Sequence, residues 1–73
     1  MIRLTVGLQA GLAFARHNWI LRPCFKGERV EFEVGNYSEK PPFTHLFPDA
    51  FEASWFFLNV STGEIVDLAR TTD

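Results

Sequence analysis

A chain of 73 residues has room for one domain and one core, near the lower end of sizes that fold unaided. With 47% hydrophobic and 15% aromatic residues it is too apolar for a disordered segment, and a single cysteine, Cys24, excludes an internal disulfide framework. A net charge of −2 is weak support for a dedicated nucleic-acid binder, and no apolar run approaches the length that crosses a bilayer.

Ile2, Leu4, Val6 and Leu8 alternate with Arg3, Thr5, Gly7 and Gln9, the pattern of a strand with one buried face. Arg3, the apolar stretch behind it and Ala13-Phe14-Ala15 resemble a secretory leader, but Gln9 and two glycines interrupt the run, so the segment is expected to be structural. Gln9-Ala10-Gly11 carries glycine at the third position of a hairpin loop, where positive φ is required. Folding back there sets Leu8 opposite Leu12 and Val6 opposite Phe14. The competing arrangement makes residues 10–17 a short helix, since alanine and leucine favour one.

His17-Asn18 forms a turn. Residues 19–25 and 29–34 then form a hairpin through Lys26-Gly27, with Phe25 facing Glu28, Pro23 facing Val30, Leu21 facing Phe32 and Trp19 facing Val34. Pro23 lacks a donor, which places its strand at an edge or a bulge. Residues 35–48 are punctuated by Gly35-Asn36, Pro41-Pro42 and Pro48 and are expected to be a long loop, through which Phe43, His45 and Phe47 alternate. Pro48 and the acids that follow predict one or two helical turns near residues 48–53.

Residues 55–60 and 64–69 flank Ser61-Thr62-Gly63 and predict a last hairpin, with Phe56, Leu58, Val66 and Leu68 on one face. Its other face presents Trp55, Phe57 and Ile65, so either both faces are buried within a small barrel or sandwich, the plainer reading, or one face meets a partner. Residues 71–73 are a polar tail. The fold expected over residues 1–73 is a single all-β domain: a small antiparallel barrel or sandwich of two to three hairpins with one short helix near 48–53. The alternative is α+β with residues 10–17 helical.

Charge is unevenly placed. Residues 1–30 hold Arg3, Arg16, Arg22, Lys26 and Arg29 against Glu28 alone, whereas residues 31–73 hold eight acids against Lys40 and Arg70. Either a basic patch results, or the halves neutralise each other, as Arg22 opposite Glu31 would begin to do.

Catalytic chemistry finds little footing. Cys24 with His17 or His45 offers a nucleophile and a base without an orienting motif, and Cys24 fits better as a small core residue. Cys24, His17, His45 and Asp49 lack the close pairing that zinc ligands show, and Glu31 with Glu33 is the expected polar side of an amphipathic strand. Gly7-Leu8-Gln9-Ala10-Gly11 lacks the lysine and hydroxyl of a phosphate loop. The two Asn-x-Ser sites, at Asn36 and Asn59, are taken as chance matches to the glycosylation pattern.

The expectation is therefore a cytoplasmic, non-enzymatic regulator or inhibitor without cofactor or metal, binding a larger protein or assembly, by analogy with small phage or mobile-element proteins. Candidate partner contacts are Trp19, Arg22, Arg29, Phe43, His45, Phe47 and Trp55, since aromatic and arginine anchors supply most interface energy. His45 would make such binding sensitive to pH, although a structural hydrogen bond is the commoner role for such a histidine. The alternative is a small β-barrel nucleic-acid binder using Arg16, Arg22, Lys26 and Arg29 in the 16–29 hairpin, with Trp19, Phe25 and Tyr37 to stack on bases. Self-association through the second face of the last hairpin carries the same sequence signature.

Overall fold

The structure, a computed structural model, describes residues 2–62. They form, in order, α1 (Ile2–Gln9), β1 (Phe14–Arg16), β2 (Trp19–Lys26), β3 (Arg29–Asn36), β4 (Phe43–Phe47) and α2 (Ala50–Ser61). The strands make one antiparallel meander in the order β1-β2-β3-β4. The sheet is open rather than a barrel or sandwich, and the fold is mixed α+β. Its helices are not at residues 10–17, where the chain turns and enters β1.

The first difference lies at the N-terminus. Residues 2–8 are helical, not a strand. Leu4 and Leu8 are four residues apart, which keeps them on one face of a strand and, as i and i+4, on one face of a helix equally well. Leu8 is fully buried and Leu4 packs beside the core, while Val6, the intervening apolar residue, is exposed. Gly11 does take positive φ (89°), but it ends a helix instead of turning a hairpin. Its N–H donates to the Leu8 carbonyl (3.0 Å) and the Leu12 N–H reaches back to the Gly7 carbonyl (2.9 Å), a Schellman stop. Gly11→Ala is expected to cost about 1 kcal/mol from left-handed backbone strain, read as a lower urea midpoint. No change would show that another residue terminates α1.

The middle of the chain follows its pattern closely. His17 and Asn18 form the β1–β2 turn, both at positive φ (52° and 71°), as a two-residue hairpin loop of right-handed strands requires. β2 and β3 pair across a Gly27-Glu28 loop, with Lys26 facing Arg29, Pro23 facing Phe32, Leu21 facing Val34 and Trp19 facing Asn36. The register is two residues from the expected one. A slip of two leaves every side chain on its expected face, which is why the hydrophobic pattern alone does not detect it. β2 has β3 along its whole length but β1 over residues 19–21 only, so among the described residues the strand is locally an edge at Pro23, as a residue without a donor requires.

The expected long loop is interrupted by β4, whose Phe43, His45 and Phe47 pair with Asn36, Val34 and Phe32. The alternation noted in those residues is that of a strand. Asn36 ends β3 by accepting from the N–H (3.1 Å) and hydroxyl (2.6 Å) of Ser38.

The expected last hairpin is the largest correction. Residues 55–60, its first arm, lie inside α2, and Ser61-Thr62 closes that helix; Gly63, the second arm (64–69) and the tail lie outside the described residues. The helix starts two residues later than expected and runs to Ser61. Asp49, not Pro48, opens it: its carboxylate accepts from the Glu52 N–H at 2.9 Å. Ala50, Ala53, Ser54, Phe56, Phe57, Val60 and Ser61 are buried, the 3-and-4 spacing of one helical face.

Both helices cover the same side of the sheet. The core there joins Leu8 of α1 and Phe56, Phe57 and Val60 of α2 to Trp19 and Leu21 of β2, Phe32 and Val34 of β3, and Phe43 of β4. Full burial of an aliphatic side chain such as Leu21 or Val34 contributes about 1.5–3 kcal/mol. Among the described residues no element covers the other side of the sheet, which carries Arg22, Cys24, Glu31 and Glu33.

Candidate functional site

The partner-contact residues expected from the sequence separate into three groups. Trp19 and Phe43 are core residues, 6% and 7% exposed, with ring centroids 5.6 Å apart edge to face. Phe43 also stacks on Phe56 of α2 at 6.3 Å. These rings belong to the core between helix and sheet, and only an edge of Trp19 reaches a surface concavity, beside the His17-Asn18 turn. Arg22 lies on the open sheet face and Arg29 at the β2–β3 hairpin end, both away from the helices. Only Phe47 and Trp55 meet at one surface feature, with half-buried His45 beside Phe47 at 4.6 Å.

That feature is a cleft of about 380 Å³ between β4 and the first half of α2, lined by Phe47, Phe51, Glu52, Trp55 and Phe56. Its floor is the Phe47–Phe56 pair, tilted at 45° with centroids 5.2 Å apart. Phe51 and Trp55 are i and i+4 on α2 and stand 58% and 48% exposed. Among the described lining residues Glu52 alone is charged, and the lining surface is almost entirely apolar. Sequence reasoning missed Phe51, Glu52 and Phe56 because it ended the helix near residue 53. The available signals were Asp49 with Glu52 three residues on, a capping pair, and the four-residue spacings 51–55 and 52–56.

β4 is also the last strand of the sheet, and no described strand pairs with its outer edge. The edge is five residues long and bracketed by Pro41-Pro42 and Pro48, so it offers backbone groups to a short segment only.

The basic hairpin is largely neutralised by its own strand partner. Arg22 Nε donates to Glu33 Oε1 at 2.7 Å, and Glu31 takes Lys26 (3.3 Å) and Arg29 (3.8 Å). Arg22 thus pairs with Glu33 rather than Glu31, a consequence of the two-residue register shift. The Tyr37 hydroxyl donates to the same Glu33 oxygen at 2.7 Å. Gly35 makes this reach available: a Cβ there would lie 3.2 Å from the Tyr37 ring, which crosses the strand at that point. Arg16 is exposed in the arm of the His17-Asn18 turn, beside a second concavity of about 450 Å³ that Tyr37 and Ser38 also line.

Partial burial pushes the Glu33 carboxyl up, but the Tyr37 and Arg22 hydrogen bonds outweigh it, so its pKa lies below the ordinary 4.5. The hydrogen bond to Glu33, with some burial, raises Tyr37 above the ordinary 10.0. The depressed carboxyl stabilises the fold above the ordinary carboxylate range and loses that contribution as pH falls through its folded value. The raised phenol stabilises below pH 10.0 and loses its contribution as pH rises further. Urea midpoints across pH are expected to fall on both flanks, by less than about 1 kcal/mol because Arg22 is half exposed. Glu33→Gln should flatten both flanks; Tyr37→Phe should abolish the alkaline one and weaken the acid one, since Arg22 still pairs with Glu33; identical profiles for all three proteins would contradict this.

Cys24 and His45 lie on opposite sides of the sheet, and His17 is in the turn before β2, about 16 Å along the strand from Cys24. The structure brings neither histidine to the thiol. Among the described residues no three His, Cys, Asp or Glu side chains converge as metal ligands, and no helix is long and apolar enough to cross a membrane. Comparison with protein-family models, with curated proteins and with solved structures gives no match.

Proposed function

We propose that this chain is a cytoplasmic, non-enzymatic binding module that regulates a larger protein by docking one of its segments in the cleft between β4 and α2. The observation that carries the reading is the pair Phe51 and Trp55, two large rings left about half in water beside the buried Phe56. Exposing such rings forgoes burial energy that the fold had room to collect, and clustered exposed apolar surface marks interaction sites. The outer edge of β4, with which no described strand pairs, adds main-chain donors and acceptors alongside, so an extended segment gains backbone hydrogen bonds and side-chain burial together. A regulator or inhibitor needs no more than this; its relation to phage-type proteins stays an analogy of size.

The nucleic-acid reading is the less supported one, since Arg22, Lys26 and Arg29 are each engaged by an acid. A tagged pull-down separates the two. The docking reading requires a stoichiometric protein that survives nuclease, persists with Lys26→Ala and is lost with Phe51→Ala or Trp55→Ala. A catch that disappears with nuclease, or with Arg16→Ala but not Trp55→Ala, would replace the docking reading with the basic hairpin.

A further inference from the structure

Independently of the docking cleft, we infer that the sheet face away from the helices holds a small-ligand site beside the His17-Asn18 turn, for a free nucleotide: a flat ring that carries a phosphate. The sheet is hollowed there. Ala15, Ile20, Gly35 and Thr44 lie opposite one another across the four strands, and Ala15 and Gly35 leave most of that row empty. The Tyr37 ring crosses the strand over Gly35, where a Cβ would lie 3.2 Å from it, and Glu33 holds its hydroxyl at 2.7 Å. Fixed at both places, Tyr37 is still 47% exposed, a preordered aromatic surface for stacking. Beside it lies the concavity of about 450 Å³, within the size range of small-molecule sites, with Ala15 and Ile20 also in its lining.

The rim sets the charge of the ligand. Arg16, His17 and Asn18 line the concavity with side chains able to donate, and no acid is among the lining residues. Arg22, Lys26 and Arg29 are engaged by Glu33 and Glu31, whereas among the described residues no carboxylate pairs with Arg16. Its exposed side chain, rooted in the lining and held by no ion pair there, can turn onto a bound anion. A guanidinium fork matches two phosphate oxygens, and the third remains for the turn. An inorganic phosphate would leave Tyr37 unused, an uncharged ring would leave Arg16 unused, and a cation would meet Arg16 as like charge. A nucleic-acid strand needs a track of positive charge for successive phosphates. With three of the hairpin's basic residues already paired, Arg16 alone suits a single phosphate.

The test is a titration of the full chain with adenosine monophosphate to about 10 mM, followed by backbone amide shifts in nuclear magnetic resonance. Shifts are expected at residues 15–20 and 37–38, with adenosine and inorganic phosphate each binding about tenfold more weakly. Arg16→Gln should weaken the nucleotide about tenfold and leave adenosine unchanged. Tyr37→Leu should weaken nucleotide and adenosine alike, by about tenfold, whereas Tyr37→Phe, which keeps the ring, should stay within about threefold of wild type. The amide spectrum of each variant verifies its fold, and Lys26→Ala, a charge outside the lining, should bind as wild type does. Undiminished binding by Arg16→Gln, or shifts at Phe51 and Trp55 instead of the turn, would overturn the site. No shift at the highest concentration would overturn it as well. An adenosine octanucleotide that binds where the mononucleotide does not would overturn the free-nucleotide assignment in favour of a single strand.

Discussion

Phe56→Ala is expected to leave most of the chain unfolded well below the temperature at which the wild type melts. The ring is 8% exposed and joins three neighbours: Phe43 at 6.3 Å, Phe47 at 5.2 Å and His45 at 6.4 Å. Truncating a buried phenylalanine typically costs about 3–5 kcal/mol, part of it from the cavity left behind. A domain of this length holds only roughly 4–11 kcal/mol in total. The loss falls where it is least absorbed, because Phe56 is the contact through which α2 meets β4. Urea denaturation followed by far-UV circular dichroism measures it, and the buried Trp19 reports the same transition by fluorescence. A loss below about 1 kcal/mol would mean that α2 is held to the sheet by other residues, and the packing described above would be wrong.

Trp55→Ala, one position earlier, is expected to do the reverse. The indole is 48% exposed and belongs to the rim of the cleft, so its removal should change stability by about 1 kcal/mol or less. Binding is where the effect belongs: an aromatic anchor at the centre of an interface contributes about 2 kcal/mol or more, a loss of roughly thirtyfold in affinity. Lys26→Ala serves as the control, since it removes only an exposed pairing with Glu31 at 3.3 Å. The measurement is a titration of the captured partner against the three proteins, with denaturation curves alongside. If Trp55→Ala unfolds the chain, the indole is structural and the cleft is not a docking site. If it binds as wild type does, the partner contacts another face.

The contrast between neighbours 55 and 56 also marks where sequence reasoning stops. From residue 55 to residue 60 the chain reads Trp-Phe-Phe-Leu-Asn-Val, apolar at five of six positions. Such a run satisfies a period of two and a period of 3.6 equally, so strand and helix cannot be separated within it. The decision came from outside the run: the Asp49 cap before it, and a sheet whose apolar face needed covering over Leu21, Val34 and Phe43. The same ambiguity affected the N-terminus, where Leu4 and Leu8 fit both periods. It affected Gly11 too, since positive φ serves a hairpin loop and a helix stop alike.

The candidate site was half visible for related reasons. Phe47 and Trp55 were identifiable as aromatics in excess of need, but Trp19 and Phe43 carry the same residue-type signal and went to the core. Composition does not say which member of an aromatic surplus is the exposed one. Phe51 and Glu52 gain meaning only when α2 lies beside β4.

By itself the sequence determined the β1–β2 turn at His17-Asn18, the pairing of the two central strands and the division of their side chains between two faces. Those features rest on local φ preference and on a period-two pattern broken by charged residues, both of which act over a few residues. Tertiary structure alone decided the register within that hairpin, the helical state of residues 2–9 and the extension of α2 over residues 54–61, the strand at Phe43–Phe47, and which aromatics remained in water. In each of these the local pattern permits two conformations of similar energy, and the one adopted is the one that covers the apolar face of the sheet.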